Sequence, residues 1–564
     1  MTSSRSSLAA RFASGLIIAA AWFPLSPLSA RADAVITVVS PETSLIVEDK
    51  GSKTFHFHVD GMPTEASKAV VELRRFSSGP VSDKKIAAHA EVPLSGSDIE
   101  IALDVPEIGY YELTLRLESG SKQALASLVT SFAAVPTHAG ANPSDFGVCT
   151  HFAQKKDDPQ LFESTMKLVK LAGFSRIRDE CYWDGWERQP GVFVPMQGCT
   201  DYIDAANRLG IAPLVVLDFG NGKAYPQLFT GKGEGHSSFP DTPEKVDLFT
   251  RYVEETVKLY NSKVKDWELW NEPQSWGKPS PAVYTALLKK VNAKIKEIDP
   301  DANVISCGGG GAGGGPGGDF ITGILAAGGL NDQDGFSVHP YMAPYTPEFG
   351  YDAANSPIPS VSVPVVWKHL GKFVDNHPKA NGKKLQFWVS EFGWVSSPIN
   401  FFDGAQMQGA YVARAFLLSR SVGTCTAVFW YDFQNDGVDP RNNEHNFGLI
   451  RKDFSPKPAF VSMSVMSATV GSRPCTKVLV DDADAKVFAF GSEDSSGSGD
   501  VVYAGWSVAS VGKGAKLKIP PGNYTRRDWD GHEQDVVVDE KGYNWTLRPF
   551  PQYLFAKKDA APQG

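Results

Sequence analysis

Two glutamates carry the residue pattern best suited to chemistry. Glu272 stands in Trp267-Glu268-Leu269-Trp270-Asn271-Glu272-Pro273, and Glu391 in Phe387-Trp388-Val389-Ser390-Glu391-Phe392-Gly393-Trp394. Each lies where an apolar run stops, and 119 residues separate them. A lone glutamate at such a place is ordinarily a solvated edge or an ion-pair partner. Two of them in aromatic-rich surroundings have a specific use. One carboxyl can donate a proton to the leaving oxygen of a glycosidic bond while the other acts as nucleophile or base. That chemistry needs the pair to face each other across one cleft, so the surrounding chain must form a scaffold that makes them do so.

From about Asp145 short apolar runs alternate with helix-length amphipathic segments. The strand candidates are Phe146–Thr150, Arg176–Arg178, Pro213–Asp218, Asp266–Trp270, Asn303–Cys307, Gly335–Val338, Gln386–Ser390 and Ala427–Tyr431. Helix candidates begin near Pro159, Thr200, Pro243, Pro281, Asp319, Val361, Ala405 and Lys457. Several starts carry proline in the first turn, where its missing N–H costs nothing. Eight such units over roughly 320 residues predict a (β/α)8 TIM barrel, with a doubly wound sheet as the alternative. In a barrel the active site lies at the C-terminal strand ends, and strands four and seven sit across the mouth from one another. Glu272 ends the fourth candidate and Glu391 the seventh.

Asn271-Glu272-Pro273 after one apolar strand and Ser390-Glu391-Phe392-Gly393 after another resemble the TIM-barrel clan of retaining glycoside hydrolases. The likeness runs from about Asp145 to Ala468 and is nearest to family 39, or to a family-39-like enzyme acting on bacterial exopolysaccharide. It implies that Glu272 is the acid/base and Glu391 the nucleophile. Arg178 matches the clan's arginine beside the nucleophile. Asp179 to Phe193 is similar to its strand-two loop. His339-Pro340-Tyr341 matches the strand-six position that carries a histidine and a tyrosine close to the nucleophile. Trp430 matches the aromatic that floors the sugar subsite. Phe447-Gly448-Leu449-Ile450 followed by Lys457-Pro458-Ala459 looks like the clan's ending.

Physical chemistry adds its own expectations. An acid/base Glu272 must hold a proton at working pH, so burial or the Glu391 charge should raise its pKa. Arg178 and the Tyr341 hydroxyl could keep Glu391 ionised. Asn271 is placed to bond a sugar 2-hydroxyl. Trp183, Trp186, Trp276, Trp394 and Trp430 lie in or beside strand-end loops, where indole faces suit sugar C–H faces, although any one tryptophan is more often packing.

On either side of the barrel the pattern is that of strands. Val35–Val39, Thr54–Val59, Ala69–Arg74, Ile99–Leu103 and Tyr110–Leu117 predict an N-terminal β-sandwich over 35–137, joined through Pro136–Pro143 to a catalytic barrel over 145–468. A smaller β domain follows over 469–560. Turn-forming clusters, among them Ser77-Ser78-Gly79-Pro80 and Ser495–Asp500, separate the strands. Residues 1–34 have a signal-peptide layout: Arg5 and Arg11, an apolar stretch from Phe12 to Phe23, then Pro24, Pro27 and the small-x-small sites Ala30-Arg31-Ala32 and Ala32-Asp33-Ala34. An amphipathic first helix is the weaker reading, because the stretch is apolar all round. A membrane anchor needs ~20 apolar residues, more than the two prolines allow. The mature chain is therefore expected to be secreted or periplasmic, with no membrane span.

Its 564 residues carry a formal charge of −9, which becomes about −11 once the leader is removed. With no long basic run, nucleic acid and anionic lipid are poor partners, and a polysaccharide or oligosaccharide is the expected one. Six cysteines are too few for a disulfide scaffold, and no C-x-x-C pair exists. Cys181 and Cys199 are the nearest pair; a bridge and two separate thiols both remain open. No metal and no cofactor is expected. Gly309, Gly311 and Gly314 match G-x-G-x-x-G only because Gly308–Gly318 is nearly all glycine, and a loop at the barrel mouth is the better account. Asp332-Gln333-Asp334-Gly335 starts like a calcium loop but lacks its closing glutamate. No H-E-x-x-H or G-x-S-x-G occurs. A retaining glycosidase is the leading reading. A transglycosylase with the same residues and an inactive carbohydrate-binding or matrix protein are the alternatives. Sugar, linkage, endo or exo action and oligomeric state are not legible.

Overall fold

The computed structural model describes residues 34–76, 85–138, 140, 142–154, 159–231, 235–310, 318–352, 358–397, 404–492, 500–508 and 512–557. Residues 1–33 of the leader expected over 1–34, the Ser77–Pro80 turn, most of the Ser495–Asp500 turn and residues 311–317 of the glycine-rich stretch lie outside these.

Eight parallel strands close into a barrel: β1 (Phe146–Cys149), β2 (Arg176–Tyr182), β3 (Ala212–Asp218), β4 (Asp266–Leu269), β5 (Asn303–Gly310), β6 (Gly335–His339), β7 (Gln386–Phe392) and β8 (Ala427–Trp430). Closure runs through β8 against β1, Val428 facing Phe146 and Trp430 facing Val148, which rules out the doubly wound sheet. Each strand is followed by a helix: α1 (Pro159–Leu171), α2 (Gln197–Leu209), α3 (Pro243–Tyr260), α4 (Pro281–Ile298), α5 (Gly318–Ala326), α6 (Val363–Asn376), α7 (Gly404–Val422) and α8 (Pro458–Val470). The proline signals act as expected. Thr242 and Ser280 cap α3 and α4 by accepting from Lys245 N and Val283 N, with proline in the next position. The glycine run behaves differently from a loop at its start, because Gly308–Gly310 prolong β5.

Inside the barrel Cys149, Leu214, Ile305, Trp388, Ala427 and Phe429 form an apolar plug. Gly147 in β1 makes room for it: a Cβ there would fall 2.4 Å from the Phe429 ring. The plug fills the lower barrel, so polar side chains higher on the same strands open only toward the C-terminal mouth.

The N-terminal β-sandwich pairs a three-stranded sheet (Val35–Val38, Gly51–Asp60, Asp98–Val105) with a five-stranded one (Ile46–Glu48, Ala66–Arg75, Ile86–Pro93, Gly109–Ser119, Ala124–Val135). Alternation supplies its core, with Phe55, Phe57 and Val59 facing Leu113, Leu115 and Phe132. In the C-terminal β domain a six-stranded sheet turns two apolar faces in opposite directions. Phe488, Phe490, Val502, Ala504 and Trp506 join the barrel's core, while Val487, Ala489 and Tyr503 pack with Trp545 and Leu547 on the far side.

The two β domains also touch each other. Arg75 donates to Asp530 at 3.1 Å, His532 meets Glu107 at 3.3 Å, and the Tyr110 and Trp529 rings lie 6.4 Å apart. The N-terminal sandwich reaches the barrel through Ser131 and Tyr110, both of which donate to Pro456 O, at 2.6 and 3.4 Å. All six cysteines are free thiols, Cys181 and Cys199 among the buried ones. Among the described residues no helix is long and apolar enough to cross a membrane.

Candidate active site

Beyond Leu269 the chain leaves β4 through two residues in the left-handed region, Trp270 at φ 67° and Glu272 at φ 41°. Such conformations cost non-glycine residues ~1–3 kcal/mol each and persist only where the surroundings impose them. Here Tyr284 Oη donates to Leu269 O at 2.6 Å, and the buried Trp270 indole donates to Trp276 O at 2.9 Å. The turn projects Asn271 and Glu272 into the mouth. Gly393 does related work on the opposite side. A Cβ there would sit 2.1 Å from Tyr431 O, so glycine lets the ends of β7 and β8 close together behind Glu391.

Arg178 is the centre of the site. Its side chain is 4% exposed, and Nε donates to Glu268 Oε2 at 2.6 Å, Nη1 to Glu391 Oε1 at 2.7 Å and Nη2 to Asn271 Oδ1 at 3.0 Å. Glu268 is fully buried and accepts further bonds from Ser390 Oγ at 2.7 Å and from Ser337 Oγ. Burial pushes the Glu268 carboxyl up, but Arg178 and His339 outweigh it and hold its pKa below the usual value. The second Glu391 oxygen accepts from Tyr341 Oη at 2.9 Å. Burial and the Glu391 charge keep the Tyr341 phenol well above its ordinary pKa, so it remains a donor.

His339 links the two glutamates. Nδ1 lies 3.0 Å from Glu272 Oε1 and 3.5 Å from Glu391 Oε2, and Nε2 lies 2.9 Å from Ser390 Oγ. One oxygen of Glu272 and one of Glu391 are within 4.8 Å of each other. The expected rise in the Glu272 pKa is not what the geometry gives. Burial raises it, but the bond and charge of His339, with the charge of Arg178, bring the net shift downward. Conversely, burial would lower the His339 pKa, and the Glu391 and Glu272 carboxylates hold it well above the histidine value. Because Ser390 Oγ donates to Glu268, it accepts from His339 Nε2–H. The neutral imidazole therefore presents Nδ1 as an acceptor toward Glu272. One proton lies between the two groups, on Nδ1 or on Oε1, and belongs to the pair.

A cavity of about 690 Å³ opens above these residues. Arg178, Asn271, Glu272, Tyr341, Glu391 and Trp276 border it. Trp276 is 43% exposed and presents its ring to the cleft. The other tryptophans singled out for sugar contact do not border the cavity. Trp183 is wholly buried, stacked on Tyr252 with Nε1 donating to Glu187. Trp430 and Trp394 stack on each other at 5.7 Å, and Trp394 donates to Tyr345 O at 2.7 Å. The aromatic walls are instead Tyr182, Phe219, Tyr431 and Phe447. Glu180, Glu444 and the ion pair of His151 with Asp436, at 2.8 Å, complete the rim. Burial acts against the His151 charge, yet Asp432 and Asp436 push its pKa up to about 10.

Sequence reading missed Glu268, His151 and most of the aromatic wall. Glu268 had a visible signal, a carboxylate flanked by Trp267, Leu269 and Trp270 in a strand, where burial calls for a cationic or hydrogen-bonding partner. Among the described residues three clusters could hold a metal: Glu272, His339 and Glu391; Glu268, Cys307 and His339; and His151, Asp432 and Asp436.

Among solved structures, a family 39 glycoside hydrolase from the gut symbiont Bacteroides cellulosilyticus WH2 is 35% identical over 93% of this chain and 100% of that one, with a TM-score of 0.81. A Bacteroides uniformis β-glucuronidase (13% identical, 94% of this chain and 60% of that one, TM-score 0.41) and a GH5_18 protein from Streptomyces cattleya in complex with GlcNAc (15%, 58% and 80%, 0.43) are too distant to carry an argument. No family model matches the chain, and no curated protein does.

Proposed function

Because this chain belongs to glycoside hydrolase family 39, we propose that it is a secreted or periplasmic retaining glycosidase, with Glu391 as nucleophile and Glu272 as acid/base. The observation that carries the retaining assignment is the spacing of the two glutamates, oxygen to oxygen within 4.8 Å. It suits the ~5–5.5 Å separation of carboxyl groups in double displacement rather than the ~6.5–9.5 Å that leaves room for a water. Export rests on the leader-like layout of residues 1–34.

The residues divide the work as follows. Arg178 and Tyr341 occupy one oxygen each of Glu391, which orients the carboxylate for attack on the anomeric carbon. As the bond to the leaving group breaks, Glu272 delivers the proton it shares with His339. The low pKa of Glu272 in the free site is no obstacle, because that proton sits on the adjoining Nδ1 and needs only to cross a 3.0 Å hydrogen bond. In the second half-reaction Glu272 takes a proton from water, which attacks from the face the leaving group has vacated. Asn271, its Oδ1 engaged by Arg178, has its amide N–H for the sugar 2-hydroxyl, a bond that strengthens as the oxocarbenium-like state develops. Trp276, Phe219, Tyr182, Tyr431 and Phe447 offer rings to sugar C–H faces. A poly- or oligosaccharide, such as a bacterial exopolysaccharide, is the substrate class these walls fit.

The test is a polysaccharide panel with product sizing, followed by proton NMR of the first-formed product. Retention of anomeric configuration is the expected result, and inversion would remove Glu391 from the role of nucleophile.

A further inference from the structure

The loop that leaves β6 carries Tyr341, the hydrogen-bond donor to Glu391, and Ala343, a wall of the cavity. Seven residues beyond Tyr341 it buries Glu348, whose side chain is 0% exposed. Arg414 on α7, 1% exposed, meets both Glu348 oxygens, with Nε 2.8 Å from Oε1 and Nη2 2.5 Å from Oε2. Its guanidinium lies 4.9 Å from the Tyr411 ring centre, and Tyr411 packs edge-on against Trp394, which holds Tyr345 O. All of those contacts are internal to the barrel. One further contact is not. Trp506, in the strand Val502–Ser507 of the C-terminal sheet, donates Nε1 to Glu348 Oε1 at 2.8 Å. A second contact from the same sheet lies nearby, Lys486 Nζ at 5.5 Å from the Phe349 ring centre.

We propose that Trp506 is a positioning residue for the cleft: by its indole N–H on Glu348 the C-terminal domain sets where the β6 loop, and with it Tyr341, stands relative to Glu391. The inference rests on the glycosidase reading for its catalytic consequence but not for its geometry. The physical reason is mutual dependence. Trp506 is wholly buried, and so is the carboxylate it serves. A loop shift of an ångström or so would strand a buried donor and weaken a buried anion, each at the full cost of desolvation without a partner. Trp506 has no room to follow such a shift, because Phe488 packs on its ring at 5.5 Å and the sheet beneath is fixed to the barrel core. It is therefore a rigid member of the clamp.

The test uses the full chain and needs no substrate for its first reading. In Trp506→Phe the N–H is lost together with the five-membered ring, so the effect is read against a packing control. Amide hydrogen exchange over residues 341–350 should quicken roughly tenfold, while the barrel strands stay protected. Phe488→Leu, which opens a void beside the same ring and keeps the N–H, should quicken exchange in that segment distinctly less. Glu348→Gln, which weakens the Arg414 pair but keeps an acceptor, is the second variant should Trp506→Phe unfold; it should release the same segment. Unchanged exchange over 341–350 in Trp506→Phe and Glu348→Gln, or equal release by Phe488→Leu, overturns the proposal. On whichever glycoside the wild type cleaves, Trp506→Phe should lower kcat/KM with the folded fraction unaltered. Loss of the exchange effect refutes the clamp, whereas failure of the wild type to cleave any glycoside refutes the glycosidase reading instead.

Discussion

Neutralising Glu268 and Glu391, singly and together, puts the charge arrangement around Arg178 to the test. In the wild type one guanidinium, 4% exposed, faces two carboxylates that are 0% and 10% exposed. Glu268→Gln keeps the shape and an acceptor for Nε, and the hydroxyls of Ser337 and Ser390 can turn to accept from the new amide. The lost charge-assisted bond would cost ~1.5–3 kcal/mol, but relief of repulsion between the two carboxylates offsets part of it. A net loss of about 1–2 kcal/mol is expected, and a similar loss for Glu391→Gln. The double variant differs in kind. It leaves a buried cation facing only neutral acceptors, a state that costs ~3–5 kcal/mol beyond what hydrogen bonding restores. The two substitutions should therefore be non-additive by at least ~1 kcal/mol, with the double variant worse than the sum. Urea unfolding at pH 7, followed by near-ultraviolet circular dichroism, reads this from four transitions of equal slope. pH supplies an internal control. The folded Glu268 pKa lies below its unfolded value, so its contribution is complete above about pH 4.5 and is lost as pH falls further. Glu268→Gln should lose less stability over that acid range. Additivity within ~0.5 kcal/mol would refute the view that the two carboxylates jointly compensate one charge.

Three further outcomes follow from the geometry. Glu272→Gln and Glu391→Gln should each lower kcat by orders of magnitude in folded protein, since neither role has a second residue to fill it; wild-type turnover in either removes that residue from the mechanism. Trp276→Ala should raise KM several-fold with a smaller change in kcat, because the residue is exposed at the cavity wall and, on the proposed reading, would hold sugar away from the reacting atoms; an unchanged KM would place the sugar elsewhere. The folded His151 pKa, about 10, lies above its unfolded value of 6.5, so its stabilising contribution is complete below pH 6.5 and disappears as pH rises through about 10. The gap in melting temperature between wild type and His151→Asn should narrow over that range; a constant gap would contradict it.

The barrel was legible because strand–helix alternation is a long-range pattern that single contacts do not disturb. Glu272 and Glu391 were legible for the same reason: strand ends fix them, and their neighbours Asn271, Pro273 and Gly393 mark the turns. The aromatics that border the cavity were not. Trp430 was chosen as the aromatic at the end of β8, yet it points into the packing against Trp394 and Phe392, and the next residue, Tyr431, faces the cavity. A step of one residue reverses the face, and nothing in a short apolar run says where the alternation stops. Trp183 failed differently. It opens a short helical turn after β2, and Tyr252 and Phe249 of α3 cover it from far along the chain. The pKa direction at Glu272 was hidden for a related reason. It depends on which ring nitrogen of His339 comes within 3.0 Å, a matter of tertiary placement.

The contacts of the two β domains with each other, as well as with the barrel, bear on how this protein withstands cutting. Three bodies joined in a line would separate wherever one connector is severed. Here Arg75–Asp530, Glu107–His532 and Tyr110–Trp529 join the first body to the last, and Ser131 and Tyr110 join the first to the middle. The connector near residues 136–143 is thus one tie among several. A protease that severs it would leave two polypeptides travelling as one particle, visible as separate bands only after denaturation. Since neither β domain lies on the residues bordering the cleft, such a nicked protein should still turn over its substrate. Wherever proteases are part of the surroundings, the domain arrangement is a form of durability that no single bond in it provides.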